Sequence, residues 1–272
     1  MKTIMPPSSS SLFHFTRKWS IFKKILSKGL MYFESIEYCP NDDALSKVVY
    51  KNNGIFIIPM ICFCDIPISR TLKHRSTYGN YAIGFNKESL RNKLIDNISP
   101  VHYISNPEYA LYLATIKQDV ESLLLRKNNS FCYTQEFVSK IDMAYDFIFY
   151  LLSYFKPYEY YDEREWRALL PKNSKWARGF VSWDKNKYDI NEYSKAYKKF
   201  TKPTNVYISF SSEELANVIS YIILPTENDV GKVVEFILSE RNSIFGCANV
   251  PKETRVMIVS RITSFERIEK DY

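Results

Sequence analysis

Three places in the chain hold residue types that could do chemistry. The first is Asp162-Glu163-Arg164-Glu165-Trp166-Arg167. Side chains alternate along a strand, so Glu163, Glu165 and Arg167 would share one face there, with Arg164 and Trp166 on the other. Two carboxylates beside a guanidinium could hold a substrate hydroxyl and steady a developing positive charge. The same pattern also suits a charged strand edge that discourages edge-to-edge pairing. The second place is His14, between Phe13 and Phe15 on a short strand, where the period of two turns it away from both. It reads either as a core histidine bonded to backbone or as a donor at the floor of a cleft. The third is Ile61-Cys62-Phe63-Cys64-Asp65, followed by His74, Arg75, Tyr78 and Tyr81. Here Asp65 could cap the next helix, whose first turn tolerates Pro67. The aromatics could stack on a flat ring or simply pack in the core.

Other chemistries find little support. The three histidines, His14, His74 and His102, show no HxH or HExxH spacing, so no metal site is expected. The five cysteines are odd in number and show no CxxC, which fits a reducing cytoplasm better than a disulfide framework. With 7 glycines there is neither a GxGxxG nor a GxxxxGK[ST] loop, which sets aside Rossmann and P-loop chemistry. The balance of 37 Lys+Arg against 30 Asp+Glu gives +7, spread along the chain. That permits nucleic-acid contact without indicating it, and the basic segment Lys195 to Lys202 reads equally as a solvated helix face. The most apolar stretch, Ile55 to Cys64, is too short to span a bilayer, and the N-terminus lacks the apolar core of a signal peptide.

The elements that must position these residues can be read from periodicity. A Pro/Ser-rich leader, residues 1–11, is expected to be disordered, and residues 12–272 to form one α+β domain. Leu12 to Thr16 reads as a strand. A helix from Trp19 to Lys28 follows, with Ile21, Phe22, Ile25 and Leu26 on one face and Gly29 as its cap. Ile55 to Phe63 reads as a strand whose Pro59 marks an irregularity or an edge position. Tyr81 to Phe85 and Val101 to Ile104 are further strands. A helical hairpin is expected over about 107–156, from the stripes Tyr109, Leu113, Ile116, Val120, Leu123 and Phe137, Ile141, Ala144, Ile148, Leu151, Phe155. Strands resume at Trp166 to Leu170, Val206 to Phe210, Tyr221 to Leu224 and Arg255 to Ile262, with a helix over Glu227 to Glu240.

In this order, LFHFT, the helix ending KGL, IIPMICFCDIPIS, HRSTYGNYAIGF, SPVHYI, EREWRALLP, SYIILP and the tail SFERIEKDY resemble bacterial abortive-infection proteins of the AbiGi type. The resemblance implies a part in phage resistance, as an antitoxin set against a nucleotidyltransferase-like toxin. A more distant resemblance, carried by His14, the Ile-x-Phe-x-Asp strand and Glu163-x-Glu165, is to the ADP-ribosyltransferase fold. It implies a mixed β core with the hairpin inserted and NAD as substrate. His14 would then hold a ribose, and Glu165, partnered by Glu163, would stabilise an oxocarbenium-like transition state. The resemblance gives His14, Thr16, Phe63, Asp65, His74 and Tyr78 as the residues around the dinucleotide. Cys62 stands where many members place Tyr, so stacking on nicotinamide passes to Phe63, His74 or Tyr78. Two functions follow: an NAD-using effector (an ADP-ribosyltransferase or NAD glycohydrolase), or a non-catalytic antitoxin or phage sensor that binds a toxin or phage protein through the hairpin.

Overall fold

The computed structural model describes residues 9–37, 54–95, 97–104, 154–170, 179–182 and 203–271, with isolated helical positions between 116 and 151. Strand β1 (Ser11–Thr16) and helix α1 (Trp19–Lys28) match the expected pair. Gly29 ends α1 at φ 92°, its N–H bonded to the Ile25 carbonyl, and a Cβ there would run into the Ile208 carbonyl oxygen. Phe22, Ile25 and Leu26 are buried, whereas Ile21, at the margin of the stripe, is 47% exposed.

Strands β2 (Leu30–Glu37) and β3 (Gly54–Cys64) pair antiparallel. A 3₁₀ turn leads into α2 (Thr71–Tyr78), then β4 (Tyr81–Asn86), α3 (Lys87–Lys93), β5 (Ile98–Pro100) and β6 (His102–Ile104). After the insertion come β7 (Phe155–Pro157), a 3₁₀ turn (Tyr158–Glu163), β8 (Glu165–Leu169), β9 (Gly179–Ser182) and β10 (Pro203–Ile208). The chain closes with α4 (Ser212–Val218), β11 (Ile219–Leu224), α5 (Val230–Leu238), α6 (Lys252–Val259), β12 (Ile262–Ser264) and α7 (Phe265–Asp271).

The fold is mixed α and β, around one large sheet in the order β10-β2-β3-β1-β4-β11-β12, with β8 and β9 also along β3 and β5 outside β8. Its pairs are antiparallel apart from β11–β12, and β6–β7 form a separate parallel ribbon. Both faces of the sheet are buried. Leu12, Phe63, Ile83, Phe85 and Ile222 pack beneath α1, α3, α4, α5 and α6, while Phe13, Cys64, Ala82 and Ile223 pack against α7. Adjacent residues on β1, β4 and β11 therefore enter opposite cores.

Pro59 is not at an edge. β3 runs inside the sheet, with β2 on one side and β9 then β8 on the other. The Pro59 carbonyl accepts from Leu170 N–H at 3.0 Å, so the side without a donor faces Leu170 just past the end of β8, where the pairing with β8 stops. The expected strand from Arg255 to Ile262 is also corrected: most of this β-branched run forms α6, and only its last residue, Ile262, falls in β12. Pro251 precedes the first helical residue, and Arg255 and Ile258 are buried three apart, with Val256 and Met257 turned to water. In the hairpin, Tyr109, Leu113, Val120, Leu123, Phe137, Ile141 and Ile148 lie outside the described residues, as does the segment Lys195 to Lys202. Phe155, expected in the second helix, opens β7.

Arg255 locks the C-terminal helices together. The residue is 2% exposed, and its guanidinium donates to the carbonyls of Val250 (3.1 Å), Ile237 (2.6 Å), Ser239 (2.9 Å) and Asn242 (2.9 Å). Two of these acceptors lie at the C-terminal end of α5, where backbone dipoles favour a cation. Arg255→Met should lower stability by about 2–4 kcal/mol in urea unfolding, since four carbonyls lose a charged donor at once. A change below about 0.5 kcal/mol would show that this guanidinium does not hold α5 to α6.

Candidate functional site

β1 meets β3 at a single register pair, Phe13 with Cys64, and then follows β4 along its whole length. Where the β1–β3 ladder has ended, His14 Nδ1 lies 2.9 Å from the Cys62 carbonyl. A carbonyl can only accept, so Nδ1 carries the proton. Burial lowers the His14 pKa, and the bond to Cys62 opposes this. The ring sits edge-on to Phe63 at 5.9 Å.

Across β3, Cys64 pairs with Glu165 and Cys62 with Arg167. Register partners point to one side of a sheet, so Phe13, Cys64, Glu165 and Arg167 share a face. His14, adjacent to Phe13, takes the other face with Phe63. The sheet thus separates the two residues expected to meet over NAD.

Every polar group of Glu165 is engaged. Its N–H donates to the Tyr103 hydroxyl at 2.7 Å, and its carbonyl accepts from Val101 N–H at 2.9 Å. One carboxylate oxygen accepts from Arg167 Nε at 2.8 Å. The other accepts from Lys156 Nζ at 2.8 Å and from the Arg167 guanidinium at 3.4 Å. Lys156 also bonds Glu163 and lies 5.0 Å from the Tyr160 ring. Glu163 is not on the strand, contrary to the alternation expected. It ends the 3₁₀ turn, and Arg164 at φ 44° redirects the chain so that both carboxylates still reach one lysine.

Burial by itself would raise the Glu165 carboxyl. Arg167 and then Lys156 override it and hold the group at about 2. Burial raises the Cys64 thiol, and the charges of Glu165 and Glu163 raise it further. Tyr78 is raised by burial and by its hydrogen bond to Glu163. His74 stacks between Phe15 (6.1 Å) and Tyr78 (5.8 Å) on the Glu165 side of β1. Burial lowers its pKa against the opposing carbonyls of Arg70 and Glu163, and Nδ1 has no well-formed hydrogen bond among the described residues.

The remaining expected residues are scattered. Phe63 is 1% exposed, enclosed by His14 and Phe85, and Thr16 is buried at the end of β1. Asp65 does not cap a helix. It turns back to accept from Ser9 N–H (3.0 Å) and Lys87 Nζ (2.7 Å), and no side chain caps the turn after Pro67. Of the expected set, Glu163, Glu165, His74 and Tyr78 converge; His14, Phe63 and Asp65 do not join them. Lys156 and Tyr103 complete the cluster, and no local spacing singles them out. Among the described residues, no group of His, Cys, Asp and Glu could hold a metal ion, and no helix is long and apolar enough to cross a membrane.

The arrangement is an ion cluster whose central carboxylate is saturated. Because the folded pKa of Glu165 lies below the ordinary 4.5, its contribution to stability is full above about pH 4.5 and is lost as the pH falls towards 2. Urea unfolding at pH 6 should place the wild type about 3 kcal/mol above Glu165→Gln, and the gap should narrow at pH 3. A gap that stays constant with pH would show that Glu165 is not the acid-labile group.

Comparison with known proteins bears on identity. The family model described as "Putative abortive phage resistance protein AbiGi, antitoxin" matches residues 37–224. The chain is also 22% identical over 268 residues to the abortive phage resistance protein AbiGi of Lactococcus lactis subsp. cremoris, covering 89% of this chain and 97% of that protein. No solved structure matches the chain. With well over half its length matched by the model, and with the motifs around β3, β4 and β8 inside the match, the chain belongs to the AbiGi family of abortive phage resistance proteins.

Proposed function

We propose that this protein acts in abortive infection as an antitoxin, restraining its toxin by direct protein–protein contact and not by cleaving NAD. The observation that carries this reading is the saturation of Glu165. A carboxylate that stabilises an oxocarbenium ion must face the ribose in the transition state. Here its oxygens face Arg167 and Lys156, and His14 bonds the backbone on the opposite face. The family's description as an antitoxin supports the same side.

The contact surface we assign is the helical insertion. Met143 and Phe147 are helical positions, 67% and 62% exposed, and Ile116, also helical, is 46% exposed. Exposed large apolar side chains at helical positions suit a protein partner.

Co-expression with the toxin of the same system tests both parts. Wild type and Glu163→Gln should restore growth, while Met143→Glu/Phe147→Glu should lose at least about tenfold in affinity for the toxin with an unchanged melting temperature, as expected for interface anchors. Purified wild type should leave NAD intact. NAD turnover abolished by Glu165→Gln in a folded protein would overturn the reading in favour of an ADP-ribosyltransferase or NAD glycohydrolase.

A further inference from the structure

Glu165 is compensated by two cations of different origin. Arg167 stands two residues along the same strand with 0% side-chain exposure, so it stays with Glu165 as long as β8 persists. Lys156 arrives from β7, outside the main sheet, and it and Glu163 keep contact with water at 18% and 23% exposure. This asymmetry decides what happens when the lysine leaves. Breaking a buried pair is costly chiefly because one charge is stranded. Here the ammonium and Glu163 would pass into solvent while Glu165 kept Arg167, and no ion would be stranded.

The other polar fastenings around the ribbon run largely to the same residue. The Tyr103 hydroxyl of β6 takes the Glu165 N–H, and Val101, just before β6, donates to the Glu165 carbonyl. Tyr154, just before β7, reaches the Asn97 carbonyl at a long 3.3 Å, and its own carbonyl takes the His102 N–H within the ribbon. Lys156 thus adds a charged contact to these neutral bonds, and charge-assisted bonds are the stronger kind.

We propose that the β6–β7 ribbon is a releasable strap, clasped to the main sheet by Lys156 on the Glu163–Glu165 pair, and that its release opens this carboxylate pair to solution. The strap goes beyond the antitoxin reading and stands independently of it, because it is a property of the free chain.

Hydrogen exchange on the full-length protein tests it. In Lys156→Met, which keeps most of the stem and removes the charge, the amides of His102–Ile104 and of Phe155 and residue 156 should exchange at least about tenfold faster, as expected for local opening. Those of Ile222–Leu224 in β11 should be unchanged. Lys156→Arg should restore the wild-type rates, and Glu163→Gln, at the water-facing side of the clasp, should shift the ribbon in the same direction by a smaller factor. Ribbon rates in Lys156→Met equal to wild type would overturn the proposal. So would an equal acceleration in β11, which would mean global destabilisation and no separate strap.

Discussion

Arg167 has no contact with water, and a guanidinium taken out of water costs several kcal/mol unless a carboxylate meets it with good geometry. Glu165, two residues away on the same face of β8, meets that need. Since Arg167 pairs with Cys62 and Glu165 with Cys64, a one-residue slip of β8 against β3 would turn both charged side chains towards the apolar core around Phe63 and Phe85. The ion pair therefore fixes the register of the strand, and with it the entry of the 3₁₀ turn, the position of Glu163 and the docking of the β6–β7 ribbon. Removing only Glu165's charge leaves a buried cation behind, so Glu165→Gln is a severe substitution despite its small change in shape.

The sheet accommodates this polar cluster because it has two apolar faces to draw on. The face beneath α1, α3, α4, α5 and α6 carries most of the buried aliphatic and aromatic side chains. The other is smaller, centred on Phe13, Ala82, Ile223 and Phe265, and the cluster lies at its margin, beside Cys64. Gly84 belongs to the same economy of space. A Cβ there would press on the rings of Phe13 and Tyr221, whose stacking at 5.8 Å lies across β4. Hydrophobic burial on two sides supplies the stability, and the polar cluster supplies specificity of pairing.

Much of the scaffold was legible in the chain because it rests on local rules. The α1 stripe ending at Gly29, the Tyr81–Phe85 strand and the helix after Glu227 follow from period, cap and turn residues whose causes lie within a few positions. The failures share a cause as well. Pro59 reads as an irregularity or an edge, and only the first holds, because a single sequence shows the missing N–H and not the strand that ends beside it. Arg255 to Ile262 reads as a strand because its β-branched run outweighs the Pro251 start signal and the burial of Arg255 against four carbonyls. Asp65 reads as a cap because the lysine that takes it, Lys87, lies 22 residues further on.

The candidate site shows the same limit more sharply. Spacing puts Glu163, Glu165 and Arg167 on one strand face, and β8 keeps only the last two of them there; it cannot state whether the carboxylate is free. A catalytic glutamate and a structural one are the same residue in the same Glu-x-Glu pattern, and they differ in what occupies the oxygens. Here the occupant is Lys156, separated from its ribbon partner Tyr103 by the whole insertion and brought back by the three-residue β6–β7 ladder. His14 carries the same lesson from the other side of the sheet. Its alternation with Phe13 is right, yet the register of Phe13 with Cys64, and of Cys64 with Glu165, makes that alternation separate the pair that a shared cleft requires. Two local readings, joined through two strand pairings, thus yield the opposite of the site they suggested, and the saturated carboxylate becomes a clasp.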